Sequence, residues 1–230
     1  MPIIVFVSPK GGVGKTTSAM ILANQLSAGA PVTVIDADPN RPFRSWAQGG
    51  NAPDTMTIVA DVDEESVIDK IEEAAAKTPF VIVDLEGTAA KIVLLAVSQA
   101  DLVIIPTQGS QLDAEQAGRA LKVIHQQEKM TRRTVEYGVL LTRTNPAIRT
   151  RTTAHIMQGL GSAKISVFKT QLNEREAFRA MFSFRQTLVG LKAEDVANLE
   201  KAIGNANAFT KEVIDRLRAI QDTRAGEGEE

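Results

Sequence analysis

The chain has 230 residues, of which 43% are hydrophobic and 23% charged, and its formal net charge is −2. It contains no cysteine, which excludes disulfides, thiolate metal sites and cysteine catalysis. No apolar run approaches the roughly 18 residues that a membrane-spanning helix needs, and the first apolar run is too short for a signal peptide. We therefore expect a globular cytoplasmic protein.

Apolar runs rich in β-branched residues alternate with helix-length segments along most of the chain. Such alternation is typical of an α/β fold, in which helices cover both faces of a parallel sheet through right-handed crossovers. The predicted strands are residues 3–7, 32–35, 57–59, 80–83, 102–105, 137–141 and 165–168. The predicted helices are residues 16–27, 64–77, 89–97, 113–128, 147–160, 174–182 and 193–220, the last with a break near Gly204. We expect one domain over residues 1–222 and a disordered acidic tail over 223–230.

A glycine-rich segment, SPKGGVGKTT at residues 8–17, lies between the first predicted strand and the first predicted helix. The strict Walker A pattern requires glycine at position 9, where the chain has Pro9. The remaining glycines still allow a tight turn whose N–H groups, together with the helix N-terminus, attract phosphate oxygens. We expect Lys15 to reach the β- and γ-phosphates and Thr16 to bind Mg²⁺. The predicted phosphate-binding residues are Gly11, Gly12, Val13, Gly14, Lys15, Thr16 and Thr17.

Three aspartates follow predicted strands. Asp36 and Asp38 come directly after the run at 32–35, and Asp84 ends the run at 80–83. Ligands of open α/β sheets bind at the carboxyl ends of the strands, so these carboxylates are placed to act on a bound nucleotide. The pattern predicts that one of the first two acids faces Mg²⁺ while the other orients the attacking water. Asp84 is expected to hold Mg²⁺ through water.

The small net charge hides an uneven distribution. Residues 129–192 contain 12 Lys and Arg against 3 Asp and Glu, a net charge of +9, whereas residues 1–128 carry −7 and residues 193–230 carry −4. A basic block inside an acidic chain suggests an anionic partner such as nucleic acid, although a solvated basic face would have the same composition.

The segments KGGVGKTT, DADPN and VIVDLEG resemble the ParA/MinD group of deviant Walker A ATPases, P-loop NTPases with a mostly parallel twisted sheet. The resemblance extends over roughly residues 1–190. It implies ATP and Mg²⁺ as cofactors and an ATP-sandwich homodimer that hydrolyses ATP slowly. By resemblance, Lys10 is the signature lysine that reaches the partner's ATP. Asp38 corresponds to the carboxylate that supports hydrolysis, Asp36 and Thr16 lie nearer Mg²⁺, and Asp84 matches the Walker B aspartate.

The same resemblance favours a small ParA that binds duplex DNA on the nucleoid and works with an activating adaptor or cargo protein. DADPNRPFRSWA and KTQLNEREAFRAM resemble both plasmid-partition ATPases and the ParA-like ATPase of T-DNA virulence regions, and these two remain open. The residues predicted to contact DNA are Arg143, Arg149, Arg151, Lys164, Lys169, Arg179, Arg185 and Lys192, while Arg175 belongs either to this set or to the nucleotide site.

Other readings of the same fold differ in their requirements. A MinD-like membrane regulator would need a basic amphipathic C-terminal helix, and the chain ends in an acidic segment instead. An iron–sulfur reductase would need cysteine ligands. A small-molecule ATP-dependent enzyme and a positioning ATPase for a protein cargo remain alternatives. The sequence departs from the ParA pattern at residues 85–87, where LEG replaces the commoner proline-containing turn.

Overall fold

The computed structural model describes residues 1–86, 90–146 and 151–227. These residues contain a single seven-stranded sheet. The strands are β1 Ile3–Phe6, β2 Val32–Ala37, β3 Met56–Val59, β4 Phe80–Leu85, β5 Leu102–Thr107, β6 Glu136–Thr144 and β7 Leu172–Asn173. The helices are α1 Lys15–Ser27, α2 Pro42–Ala47, α3 Val67–Lys77, α4 Ala90–Gln99, α5 Gln111–Thr131, α6 Arg151–Ser162, α7 Glu176–Ser183 and α8 Leu199–Glu227.

The strand order is β3-β2-β4-β1-β5-β6-β7, and each of these pairs is parallel. The chain builds the sheet outward from β1, first towards β3 and then, after β4 returns beside β1, towards β7. This doubly wound order brings the carboxyl ends of β1, β2, β4, β5 and β6 to one edge of the sheet. The predicted α/β class is confirmed.

Alternate residues of the strands enter two separate cores. In the central strand, Ile4 and Phe6 pack with α1, α7 and α8 on one face, whereas Val5 packs with α3, α4 and α5 on the other. Successive side chains of a strand point to opposite faces, so strands covered on both sides are apolar throughout. This explains why these strands are continuous apolar runs in the sequence.

The structure differs from the predicted elements in several places. Residues 165–168 contribute only an isolated bridge between Val167 and Val139, and the last strand is the short β7. The helix α2 was missed because it has only 6 residues. Gly204 does not interrupt α8, since its neighbours in the helix bury a continuous apolar face.

The predicted acidic tail differs as well. Instead of ending near residue 222, α8 continues through Glu227, and Arg224 in its last turns forms an ion pair with Asp101. Residues 228–230 lie outside the described residues, as do Ala89 and residues 147–150 of two predicted helices. The single-domain assignment over residues 1–222 stays a prediction.

The β7 edge of the sheet is covered by side chains of α8. Asn205, Glu212 and Arg216 lie on one stripe of this helix and bind backbone groups of residues 167–173, which would otherwise expose unpaired N–H and C=O groups. The bonds are Arg216 to the Val167 carbonyl at 2.7 Å, Glu212 to the N–H groups of Lys169 and Thr170 at 2.8 and 2.7 Å, and Asn205 to the Gln171 carbonyl and the Asn173 N–H at 2.8 and 2.9 Å.

Two glycine-to-alanine substitutions test this packing. A Cβ on Gly138 in β6 would lie 2.6 Å from the Phe168 ring and 3.0 Å from Arg216 Nη1, so we expect Gly138→Ala to lower the free energy of unfolding by about 1–3 kcal/mol. A Cβ on Gly204 meets no described atom within 4 Å, so Gly204→Ala is expected to raise it by about 0.5–1 kcal/mol. Urea denaturation measures both. Equal stabilities for the two variants would contradict the packing of β6 against α8.

Candidate nucleotide site

The glycine-rich loop turns sharply between β1 and α1. Gly12 and Gly14 have φ angles of 75° and 96°, a left-handed conformation that glycine adopts without strain, and Gly14 caps α1. Val13 is buried, and its carbonyl accepts a hydrogen bond of 2.7 Å from the Thr142 hydroxyl at the end of β6. A Cβ added to Gly11 would meet no described atom within 4 Å, so the space beside the loop is open. The loop is therefore anchored at Val13 and exposed at its glycines.

Lys15 opens α1 at the base of this loop. Its side chain is buried, and burial lowers its pKa, while the nearby Asp84, Asp38 and Glu86 oppose that change. A buried ammonium surrounded by carboxylates at a helix N-terminus is held where anionic phosphates would replace the lost hydration. Thr16 and Thr17 follow in the first turn and are half-buried.

Asp36 and Asp84 are register partners in the β2–β4 ladder and lie side by side at the carboxyl edge. Burial raises the pKa of Asp84 to about 7, and the Thr16 hydroxyl, which falls short of hydrogen-bond geometry, opposes the rise. Burial also raises the pKa of Asp36 to about 6, against the backbone N–H groups of Arg44 and Phe43. Asp36 Oδ2 accepts from the Arg44 N–H at 2.9 Å, so one oxygen of Asp36 caps α2.

The remaining carboxylate oxygens fit a hard divalent cation. Both oxygens of Asp84 and Oδ1 of Asp36 are buried without a hydrogen-bond partner within the described residues. A buried unpaired carboxylate is costly unless a cation or a proton neutralises it. No group of three or more His, Asp or Glu within the described chain is arranged to hold a metal by protein ligands alone. The donor set therefore suits Mg²⁺, which keeps waters and binds phosphate oxygens together with one or two carboxylates.

Asp38 lies just beyond β2 and is half-buried. Its Oδ1 accepts hydrogen bonds from the Asn40 backbone N–H and side-chain amide at 2.8 and 2.9 Å, while Oδ2 has no such bond within the described residues. The two aspartates of DADPN therefore differ: Asp36 is buried and tied to α2, and Asp38 presents a free oxygen at the edge of the site.

Lys10 has a partner that the sequence did not reveal. Its Nζ lies 2.6 Å from Asp113 Oδ1, in the first turn of α5, although the residues are 103 positions apart. Asp113 is buried, and its other carboxylate oxygen accepts from the Ser110 hydroxyl. Ser110 also caps α5 by accepting from the Asp113 N–H. The S-x-x-D spacing at 110–113 is a helix-start signal that could have located this acid, but not its contact with Lys10.

The residues predicted to contact DNA do not form one cluster. Arg143 and Arg179 line a small cavity beside Gly14 and Thr17, and both form ion pairs with Glu174. Arg175 lines the same cavity, and its buried Nε has no hydrogen-bond partner within the described residues. The others are exposed: Arg151 and Lys164 at opposite ends of α6, Lys169 before β7, and Arg185 and Lys192 after α7. Arg149 lies outside the described residues.

Comparison with known proteins agrees with this arrangement. A family model described as VirC1 protein matches residues 1–224. Protein ParA of Rhizobium radiobacter is 38% identical over 218 residues, which cover 94% of this chain and 98% of that protein. The chain belongs to the VirC1/ParA family. The resemblance to ParA-type partition ATPases is thereby confirmed.

This VirC1/ParA protein has two further similarities, one in sequence and one in structure. VirC1 of Rhizobium rhizogenes is 29% identical over 187 residues, covering 79% of this chain and 80% of that protein. The ATP complex of a McdA variant from Cyanothece superposes with a TM-score of 0.69 at 21% identity, covering 91% and 96% of the two chains, and this likeness concerns the fold. Among the described helices of the present protein, none has the length and apolarity to cross a bilayer.

Proposed function

We propose that this VirC1/ParA protein is an ATPase that binds MgATP, dimerises around two ATP molecules, hydrolyses them slowly and binds duplex DNA. In this role it serves the partition of plasmids or the processing of DNA for transfer, as its similarity to both Protein ParA and VirC1 suggests. The observation that carries the proposal is the loop itself: a left-handed glycine turn holds Lys15 beside buried, unpaired carboxylates, and a second lysine, Lys10, stands at its outer end.

Different residues of the site bind the phosphates, the Mg²⁺ ion and the remainder of the nucleotide. The loop N–H groups and Lys15 bind the phosphates, and the Thr16 hydroxyl, Asp84 and, through Oδ1, Asp36 hold Mg²⁺ directly or through water. When bound, Mg²⁺ neutralises charge on the phosphate oxygens. Arg175, which lines the cavity beside Thr17 and has a buried Nε without a hydrogen-bond partner in the described residues, contacts the nucleotide, and Arg143 and Arg179 line the same cavity.

Hydrolysis requires a group that orients water at the γ-phosphate. Asp38 is suited to this because Oδ1 is fixed by Asn40 while Oδ2 remains open to the site. Asp36 is less suited, since its Oδ2 caps α2 and its Oδ1 is buried. We therefore assign the hydrolytic role to Asp38 and the metal-side role to Asp36.

Replacing Asp38 tests this division. We expect Asp38→Asn to bind ATP normally, to lose at least about 100-fold in hydrolysis rate and to accumulate as an ATP-bound dimer. The control is Asp61→Asn, an exposed aspartate that pairs with Arg41 and Arg44 near the same loop and is expected to keep normal hydrolysis. Phosphate release and sedimentation measure the two effects. Loss of ATP binding by the Asp38 variant would make this residue structural instead.

The proposed dimerisation requires that Lys10 give up its contact with a carboxylate of its own chain. In the structure it is bound to Asp113, so a lysine that contacts the partner's ATP must first exchange this carboxylate for phosphate. Because Lys10 is about one-third exposed, solvent screens the ion pair and its strength is modest. The pair sets a threshold that ATP binding has to overcome.

Weakening that pair should favour the dimer. Asp113→Asn keeps the side-chain shape and an oxygen that can accept from Ser110, the residue that caps α5, but removes the charge facing Lys10. We expect it to dimerise at an ATP concentration several-fold lower than the wild type, as measured by sedimentation across an ATP titration. A dimer that needs more ATP than the wild type would show that Asp113 supports Lys10 in the assembled site.

The decisive experiment is sizing of the protein with ADP, ATP and a slowly hydrolysed analogue, each with and without duplex DNA. We expect a monomer with ADP, a dimer with the analogue, and salt-sensitive DNA binding by that dimer only. A monomer under all conditions would contradict the active site shared between two chains. A dimer that does not bind DNA at low salt would contradict DNA as the partner. In that second case, positioning of a protein cargo becomes the better candidate.

A further inference from the structure

A second cavity lies at the edge of the sheet opposite the phosphate loop. It has a volume of about 610 Å³ and opens between the end of α5 and the second half of α8, beside Leu102 and Glu136, the first residues of β5 and β6. In a parallel sheet the first residues of the strands mark the amino edge, so this cavity is remote from the candidate nucleotide site. We call it the arginine cavity, because four of its lining residues are Arg132, Arg133, Arg216 and Arg224.

Positive charge exceeds negative charge around the arginine cavity. Arg133 and Arg224 both donate to the same oxygen, Oδ1 of Asp101, and Asp101 Oδ2 accepts from the Ile3 N–H at 2.9 Å. One carboxylate thus serves two guanidinium groups, which leaves a net positive charge and several N–H donors of these two arginines unused. Glu136 is the one carboxylate in the described lining.

Arg216 gives the arginine cavity a rigid wall. Its Nη1 and Nη2 donate to the Ser166 hydroxyl and the Val167 carbonyl at 2.9 and 2.7 Å, and its guanidinium lies 4.0 Å from the centroid of the Phe168 ring. These contacts and an ion pair with Glu212 at 3.3 Å hold the group in place, so it shapes the cavity, although Glu212 offsets its charge. The arrangement is pre-organised for an anion, since the fold itself fixes three of the four arginines.

Arg132 differs from the other three arginines because no hydrogen bond or ion pair with a described residue holds its side chain. It caps the C-terminus of α5 with a φ of 55°, a left-handed position that glycine normally occupies. Its side chain is exposed and makes no ion pair or hydrogen bond with any described residue. A cation at a helix C-terminus is favourable, but a left-handed arginine is strained, and strained residues of this kind are frequent at binding sites.

We propose that the arginine cavity binds phosphate groups, from either a free phosphate compound or the backbone of DNA. The planar guanidinium fork matches phosphate oxygens in pairs. A phosphate monoester offers three terminal oxygens and a DNA phosphodiester offers two, so a single group of either kind can accept from Arg132 and Arg224 together. The DNA source rests on the proposed function above; the free-phosphate source does not.

The test variant removes both accessible arginines without harming the fold. Arg132→Gly suits the left-handed backbone, and Arg224→Gln removes one of the two guanidinium groups on Asp101 and leaves the other. The matched control is Arg218→Gln, which removes the same charge from the same helix α8 at a side chain outside the cavity lining, 72% exposed and 4.0 Å from Asp215. Melting temperatures of all three proteins verify that they fold.

The first measurement is the fluorescence anisotropy of a labelled duplex over a series of salt concentrations, with a slowly hydrolysed ATP analogue present. We expect the double variant to bind at least about 10-fold more weakly, with a slope of log affinity against log salt reduced by about 2, one for each lost phosphate contact. The control should match the wild type. Wild-type affinity and slope in the double variant would overturn DNA as the occupant.

The second measurement separates this proposal from the proposed function. With the phosphate loop saturated by MgADP, orthophosphate and, separately, polyglutamate are added, and melting temperatures are recorded. Stabilisation of the wild type by orthophosphate, but not of the double variant, supports a phosphate site even if the protein binds no duplex. If neither DNA binding nor phosphate stabilisation depends on the two arginines, the proposal is wrong. Stabilisation of the wild type by polyglutamate alone would overturn it in favour of an acidic peptide.

Discussion

Lys15→Met is expected to weaken ATP binding by at least about 100-fold and to bring hydrolysis below detection. Methionine keeps the apolar length of the side chain but removes the ammonium that the loop holds beside the phosphates. Burial is the largest influence on the pKa of Lys15, so the charge is costly to the nucleotide-free fold. We therefore expect the melting temperature without nucleotide to stay within a few degrees of the wild type. A fluorescent ATP analogue and phosphate release measure the two losses.

Lys10→Met is the matched control, because it makes the same change in the same loop. Its side chain lies at the outer end of the loop and contacts Asp113, not Asp36 or Asp84. We expect ATP affinity within about threefold of the wild type, together with loss of the ATP-dependent dimer. Normal ATP binding by the Lys15 variant would contradict the phosphate-loop assignment. A normal dimer of the Lys10 variant would contradict only the shared active site, so the two hypotheses fail separately.

Asp84→Asn is expected to stabilise the metal-free protein while it removes magnesium-dependent ATP binding. Burial raises the pKa of Asp84 to about 7, so the folded state retains a proton that the unfolded chain releases near pH 4. Stability contributed by this group is therefore lost as the pH rises from about 4 to about 7, and Asp36, raised to about 6, acts in the same direction. Asparagine has no proton to release. The gain in unfolding free energy at pH 8 should be roughly 2–4 kcal/mol.

The measurement is urea denaturation in a chelator at several pH values, with the wild type, Asp84→Asn and the control Asp54→Asn. Asp54 is exposed and forms no side-chain hydrogen bond or ion pair within the described residues, so its variant should follow the wild type at every pH. The advantage of Asp84→Asn should shrink towards pH 5, where the wild-type carboxyl is protonated. An advantage that does not change with pH would mean that steric relief, and not charge, stabilises the variant.

The sequence predicted those parts of the site that depend on local chain order. Gly12, Gly14 and Lys15 follow a strand and begin a helix, and Asp36 and Asp84 end apolar runs, so their common edge follows from a parallel sheet. The structural placement agrees with these predictions, although the phosphate and metal roles remain proposals. The continuous apolar runs between helix-length segments also predicted a sheet covered on both faces, as the two cores show.

The parts that the sequence could not predict depend on contacts between distant segments. Lys10 meets Asp113 across 103 positions, and no local pattern encodes which carboxylate a surface lysine will find. Composition assigned Arg143 and Arg179 to DNA, and only the structure shows that both pair with Glu174 beside the phosphate loop, Arg143 from the end of β6 and Arg179 from α7. Residues 165–168 have the composition of a strand, yet they form only an isolated bridge with β6, and Arg216 of α8 binds the Val167 carbonyl that a neighbouring strand would otherwise pair.

The cover that α8 gives to the β7 edge has a consequence for biosynthesis. Asn205, Glu212 and Arg216 are the partners of backbone groups between residues 167 and 173, and they leave the ribosome after the rest of the sheet has been made. Until then the unpaired β7 edge of a nascent chain is accessible to other nascent chains on the same mRNA. Association between strands of different chains is easiest at this stage. Premature stop codons before residue 205 should therefore yield insoluble products, and chaperones that bind extended backbone should associate with the nascent protein at this late stage.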